Sequence, residues 1–364
     1  MFKSTGVSPG DDNDDVQENH EPPWQSPNAI GVNFGAVQAA YYQNQPNKSP
    51  PLFYVEDSMR IFRQAGIRTI RVPFYWESYE RNRQEFYNDL FYVLEQASIN
   101  NLQVVLDNHQ WETGSWLGWG LGFPNSILST YYPKGSGQPN YDHVRDFWFR
   151  FWDRAARDIH GRDVWERQAE FVKEVVTLTR DYRAVIAYEI LNESEIWREV
   201  DYSKINQYNA FMVGQLRPLV QSRHRFVISW ALPRGGVADT IRHQRDQFTG
   251  LPDLRDLIYD GHVYPPSHLR LFYFRSIVAP LGIPLWIGEF NSGFTAGVTL
   301  GKKQLFKYIQ KFKNAGIYGW NLWKFDYRFD SNIPAFNLAQ IVNNRIRPAE
   351  SFHHLAEAIS AIEP

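Results

Sequence analysis

What most constrains the fold of this chain is an alternation that begins at Ile30 and runs to the C-terminus. Short apolar runs read as strands at Ile30–Phe34, Thr69–Phe74, Leu102–His109, Val185–Asn192, Phe226–Ala231, Ile258–Tyr264, Leu285–Phe290 and Tyr318–Lys324. Stretches with helical spacing lie at Phe53–Gln64, Asn88–Ile99, Asp142–Asp181 (with a break near Gly161), Ser203–Gln221, His268–Ala279, Thr299–Asn314 and Ala349–Ile362. A short helix near Val237–Arg245 is expected between the fifth and sixth strands. Eight strands alternating with helices predict an all-parallel sheet closed on itself, an α/β fold of the (β/α)8 TIM-barrel type. The barrel is expected to take residues 28–364 as one domain. Right-handed crossovers then put every strand's C-terminal tip on one face.

Two stretches stand apart from that pattern. Residues 1–27 are polar and acidic, with Asp11, Asp12, Asp14 and Asp15, and are expected to form a disordered tail or linker. The connection between the third and fourth strands is far longer than an ordinary crossover. Its first part, 110–140, is rich in Gly, Trp and Pro, so a structured loop over the active face is expected.

Composition removes several function classes. The formal net charge of −2 gives no basic excess for nucleic acid. No apolar run is long enough to span a bilayer. The chain has no cysteine, which excludes disulfides and thiol chemistry. The first ten residues lack the apolar segment of a secretory leader. The expectation is an extracytoplasmic enzyme whose leader is not in this sequence, with a cytoplasmic one as the alternative, and a monomer.

In such a barrel, polar residues at the strand tips are the candidates for chemistry. Reading them off gives Arg71 on the second strand, His109 on the third, Asn192 and Glu193 on the fourth, His262 and Tyr264 on the sixth, Glu289 on the seventh and Trp323 on the eighth. Each alone has an ordinary structural explanation: an ion-pair partner, a satisfied core histidine, a helix cap, a packed indole. Their coincidence on successive tips is what carries weight. Two carboxylates delivered by two buried strands are the equipment for breaking a glycosidic bond. Trp is heavily used, 13 in all. Trp111, Trp116, Trp119 and Trp197 lie just beyond the third and fourth tips, either as platforms for sugar rings or as loop anchors.

With these residues in place the chain resembles glycoside hydrolase family 5, the cellulase and mannanase family, from Ile30 to the C-terminus. In that family an Arg, a His, an Asn-Glu pair, a His-x-Tyr, a Glu and a Trp occupy the tips of strands two, three, four, six, seven and eight. Arg71, His109, Asn192-Glu193, His262-x-Tyr264, Glu289 and Trp323 match them. Ser194 stands where many members have Pro, a departure that leaves the chemistry untouched. The resemblance implies a retaining double displacement with Glu289 as nucleophile and Glu193 as general acid and then base. Arg71 and Tyr264 would pair with Glu289. Glu193 would hold a proton near neutral pH, favoured by burial and by the neighbouring Glu289. Asn192 would donate to the sugar 2-hydroxyl, His262 would lie beside Glu193, His109 beside the sugar, and Trp323 beneath it. That chemistry calls for no cofactor and no metal.

The substrate expected from this reading is an oligo- or polysaccharide, β-1,4-glucan first. A β-mannanase or an exo-acting β-glucosidase or β-mannosidase would use the same scaffold. From another class, a carbohydrate-binding barrel without catalysis would have no need of Glu193 and Glu289. An aldolase-type barrel would want a Schiff-base lysine at the tips, where only Lys324 is near.

Overall fold

Eight parallel strands close a barrel in the computed structural model: β1 (Ala29–Phe34), β2 (Thr69–Phe74), β3 (Gln103–Asn108), β4 (Val185–Glu189), β5 (Arg225–Ser229), β6 (Leu257–Val263), β7 (Leu285–Phe290) and β8 (Gly319–Phe325). Each pairs with its neighbours in sequence, and β8 returns to pair with β1. The structure describes residues 29–37, 49–118, 120–197, 201–234, 240–251, 253–264, 269–291, 301–325 and 338–362. The expected tail at 1–27 lies outside the described residues.

Side-chain alternation divides the barrel into two packing regions. Outward residues such as Val32, Ile70, Leu106 and Ile228 join the helices in one large core. Phe62, on the helix Leu52–Gln64, shows how the ring is sealed there. Its ring lies 5.2 Å from Phe34 on β1 and 4.7 Å from Phe325 on β8, both edge-on. Burying such a ring contributes about 1.5–3 kcal/mol. Inward residues near the N-terminal end form a smaller apolar plug of Val105, Ala187, Val227, Ile258 and Trp286. Two residues further along the same strands stand Asp107, Glu189, Ser229, Asp260 and Gly288. The barrel interior thus changes from apolar to polar in a single layer, on the side of the strand tips.

The differences from the sequence reading have local causes. The fourth strand stops at Glu189 instead of reaching Asn192, and Asn192-Glu193 forms a turn in which Glu193 has φ 37°. The stretch 142–181 is broken at 153–163, around the expected Gly161, into two helices, Tyr141–Trp152 and Val164–Thr179. The second starts at Asp163, whose carboxylate accepts from the Trp165 and Glu166 N–H groups, an N-cap. The short helix after β5 is Ile241–Asp246, capped by Thr240. A helix at Trp76–Arg81 and a hairpin of Ala339–Val342 with Arg345–Pro348 were not expected. The hairpin turns on Asn343-Asn344, both with positive φ, which asparagine tolerates better than most residues.

The described residues of the connection after β3 pack against the core. Phe123, Ile127, Leu128 and Tyr132 are buried in the main core. The Glu77 N–H donates to the Gly122 carbonyl at 2.8 Å, and its carboxylate accepts from the Ser115 hydroxyl at 2.8 Å. No described helix is long and apolar enough to cross a membrane.

Candidate active site

Arg71 is the hub of the polar layer. Its side chain is fully buried, and all five of its N–H donors are used. Nε and Nη2 take both oxygens of Glu189 at 2.8 and 2.9 Å. Nη1 donates to Asn33 and to Glu289, each at 2.9 Å. Nη2 also donates to the Asn192 side-chain oxygen Oδ1 at 2.7 Å. Asp107 Oδ2 lies 3.0 Å from Nη1. Strand register puts these groups side by side, pairing Asn33 with Arg71 and Asp107 with Glu189.

Glu289 is aimed from two directions. Arg71 holds Oε1, and the Tyr264 hydroxyl donates to Oε2 at 2.7 Å. Burial first, and then the Glu289 charge, push the Tyr264 phenol well above its ordinary range, so it stays a donor. Glu193 contacts His262, whose Nδ1 lies 2.6 Å from Oε1. The other ring nitrogen lies 3.2 Å from Asp260 Oδ2. Asp260 is in turn seated by the Gly288 N–H, 2.6 Å from Oδ1. A Cβ at Gly288 would stand 2.1 Å from Asp260, so only glycine leaves room for this carboxylate. One oxygen each of Glu193 and Glu289 and one nitrogen of His262 lie within 4.8 Å of one another.

The electrostatics of this pair bring in groups that the sequence reading left out. Burial pushes the Glu193 carboxyl up, but the charge and hydrogen bond of His262 outweigh it, and the group lies below its ordinary value. Burial pulls the His262 imidazole down, but Glu289, Asp260 and Glu193 surround it and hold it well above its ordinary value. The pair therefore holds a proton across a 2.6 Å contact, with the surrounding carboxylates favouring the charged form of the ring. The sequence reading counted the repulsion from Glu289 and missed Asp260, which holds the imidazole as a cation from behind.

His109 is treated oppositely. Burial brings it down to about 3, so the ring is neutral. Its Nδ1 is 2.7 Å from Asp107 Oδ2, and Asn192 Nδ2 is 3.5 Å from Nε2. The half-buried Trp323 indole stacks on it at 5.4 Å and 15°. Asp107 is pushed to about 7, and Glu189 well above the carboxylate range, both by burial first. Arg71 opposes both shifts without cancelling them. Burial thus inclines both carboxyls toward their neutral forms, against the pull of Arg71.

The structure thus brings Arg71, His109, Asn192, Glu193, His262, Tyr264, Glu289 and Trp323 into one connected network. The outlying tryptophans are placed differently. Trp111 pairs its backbone with Leu121 within the loop. Trp116 packs on the core and donates its indole N–H to the Tyr132 carbonyl at 2.9 Å. Trp197 also packs on the core. Trp119 lies outside the described residues. Asn33, Glu189 and Asp260 belong to the network and were missed, and Asp107 was quoted only as part of its strand. Their signal was available: a charge or amide inside an apolar strand.

Comparison with known proteins now has a geometry to attach to. The family model described as Cellulase (glycosyl hydrolase family 5) matches residues 31–326. No curated protein matches the chain. Among solved structures, endo-glycoceramidase II from Rhodococcus sp. is similar at 16% identity over 85% of this chain and 76% of that one, with a TM-score of 0.63. An endo-β-1,4-glucanase from Xanthomonas axonopodis pv. citri, a triple mutant, is similar at 17% identity over 91% and 98%, TM-score 0.61. The catalytic domain of a Thermobifida fusca endoglucanase follows at 14% identity over 91% and 92%, TM-score 0.58. At these identities the structural likeness is one of fold. The family match runs from β1 through β8, and the chain belongs to glycosyl hydrolase family 5, the retaining glycosyl hydrolases.

Proposed function

We propose that the chain hydrolyses a β-linked glycan, β-1,4-glucan first, with Glu289 as nucleophile and Glu193 as general acid and base. The observation that carries this is that one oxygen of Glu193 and one of Glu289 come within 4.8 Å of each other, so the two carboxyl groups face one another at close range. Retaining enzymes keep the pair about 5–5.5 Å apart, whereas inverting ones need about 6.5–9.5 Å to admit a water between acid and base.

In the first step Glu289 attacks the anomeric carbon, and the bond from that carbon to the leaving oxygen breaks. The leaving oxygen takes a proton from Glu193, which His262 supplies across their short contact. Arg71 and Tyr264 orient Glu289 and release it as its charge is consumed. In the second step Glu193 takes a proton from water, the water oxygen attacks the anomeric carbon, and Glu289 leaves. In this reading Asn192 contacts the sugar 2-hydroxyl, and Trp323 with His109 floors the cleaved subsite. The glucan assignment draws on the family's description and on the endoglucanases among its structural relatives. A mannan or an exo-acting site would use the same carboxylates.

Two measurements test the reading. Product analysis on glucan, mannan, xylan, glycosphingolipid and aryl glycosides fixes the substrate; action on mannan alone would sink the glucan assignment. Azide trapping fixes the roles. Glu193→Ala should still react with an activated aryl glycoside and yield a β-glycosyl azide, because azide needs no base. Glu289→Ala should give the α-azide by direct attack. The two products exchanged between the mutants would reverse the assignment.

A further inference from the structure

Glu193 sits in a backbone conformation that its residue type avoids. Its φ of 37° falls in the left-handed region, at a cost of about 1–3 kcal/mol for a residue with a Cβ. Such a turn persists only where its surroundings hold it. Here Gln110 holds it from one side. The Gln110 amide donates to the Asn192 carbonyl at 2.9 Å and to the Glu193 carbonyl at 2.6 Å. Both its N–H groups are therefore spent on two consecutive carbonyls. From the other side the Glu193 N–H donates to the Ser229 hydroxyl at 3.2 Å.

Gln110 is itself held in place. It is 2% exposed. Its side-chain oxygen accepts from the Thr113 N–H at 3.3 Å, which fixes the amide with its N–H edge toward the turn. Its backbone carbonyl accepts from Asn192 Nδ2 at 3.0 Å. Gly122 closes over it; a Cβ there would lie 2.5 Å from the Gln110 Cβ. The connection after β3 thus grips one side chain and applies it to the backbone of the fourth strand's turn.

We propose that Gln110 is a positioning residue for Glu193: it fixes the left-handed turn that aims the Glu193 carboxyl, and so serves the acid–base half of the reaction and not the nucleophilic half. This rests on the assignment of Glu193 as acid and base. Glu289 hangs from β7 and is aimed by Arg71 and Tyr264, none of which touches the turn's carbonyls. Loss of Gln110 should therefore separate the two carboxylates functionally.

The test uses Gln110→Met, which keeps the length and removes the donors, with a series of aryl β-glycosides running from dinitrophenyl to phenyl leaving groups. A displaced acid costs on the order of 10–100-fold where protonation of the leaving group is needed. The variant should lose that factor in kcat/KM on phenyl glycoside and stay within about threefold of wild type on dinitrophenyl glycoside. Its kcat on the latter should fall, because the second step needs a base, and azide should restore it as the β-glycosyl azide. Equal losses across the series, or none, would make Gln110 a loop anchor only. If Gln110→Met does not fold, Ser229→Ala removes the opposite clamp and should show the same slope to a smaller degree; a flat series there overturns the proposal. Glu193→Ala is the control. A steep series in the control with a flat one in Gln110→Met defeats this inference alone, and a flat control defeats the assignment of Glu193 and the inference with it.

Discussion

Replacing Arg71 by Lys keeps a positive charge in the barrel and removes the guanidinium fork. The guanidinium makes five side-chain hydrogen bonds, to Glu189 twice and to Glu289, Asn33 and Asn192 once each. An ammonium has three donors, so at least two acceptors lose their partner. Hydrogen bonds to a charged group contribute about 1.5–3 kcal/mol each, which puts the loss at about 3–6 kcal/mol. Opening a buried ion pair costs about 3–5 kcal/mol, a consistent range. Burial already inclines Glu189 and Asp107 toward their neutral forms, so proton uptake relieves part of the loss and favours its lower end. Against a total stability of about 5–15 kcal/mol the variant should fold. Urea unfolding of the two proteins at neutral pH measures the difference. Activity should fall further than stability implies, because Glu289 loses one of its two aiming donors, and a misaimed reacting group costs about 100-fold. Unfolding free energy within about 1 kcal/mol of wild type, together with kcat/KM within about threefold, would refute the reasoning.

Three further outcomes follow from the same geometry. The Glu193–His262 pair keeps its proton until pH rises through the raised His262 value, so wild-type kcat/KM should retain its alkaline limb above the ordinary 6.5; in His262→Gln only Glu193 can hold that proton and the limb should move down, and coincident limbs would refute this. Asp107 binds its proton more tightly folded, at about 7, than unfolded, at 3.8, so its contribution to stability is full below 3.8 and is lost as pH rises through about 7; Asp107→Asn should flatten unfolding free energy against pH over that window, and an unchanged slope would assign the dependence elsewhere. Trp116→Ala removes a half-buried indole and its bond to Tyr132, a loss of about 2 kcal/mol that should appear as faster proteolysis within 110–140; unchanged cleavage with weakened oligosaccharide binding would make Trp116 a sugar platform.

Much of this was legible in the sequence because a buried strand leaves a plain trace. The apolar runs fixed eight strands to within a few residues, except at β4, where Ile190 and Leu191 continue the apolar pattern although the backbone has already turned. Hydrophobicity alone does not report a positive φ. The tip residues could be read because each ends an apolar run. Glu189 and Asp260 lie inside theirs, where a single charge is easily passed over as noise. The raised basicity of His262 was out of reach for a related reason: it depends on the carboxylate behind the ring, and strand register decides which side chain that is. The Asn343-Asn344 hairpin had a usable signal in its two adjacent asparagines.

The pairing of β1 with β8 also bears on how the protein is made. Arg71 and Glu289 are 218 residues apart, and the amide of Asn321 reaches the Val32 carbonyl across 289. Contacts of such separation form late, because chain closure precedes any gain from them. A chain released through the sixth strand therefore carries Arg71, Glu193 and His262 but still lacks Glu289 and the two strands that close the barrel. Until the barrel closes, Asp107, Glu189 and Asp260 keep access to water, where charges are cheaply solvated. Only when β7 and β8 arrive, and Phe62 is sealed between Phe34 and Phe325, does the water leave and the carboxylates acquire the environment that makes them reactive.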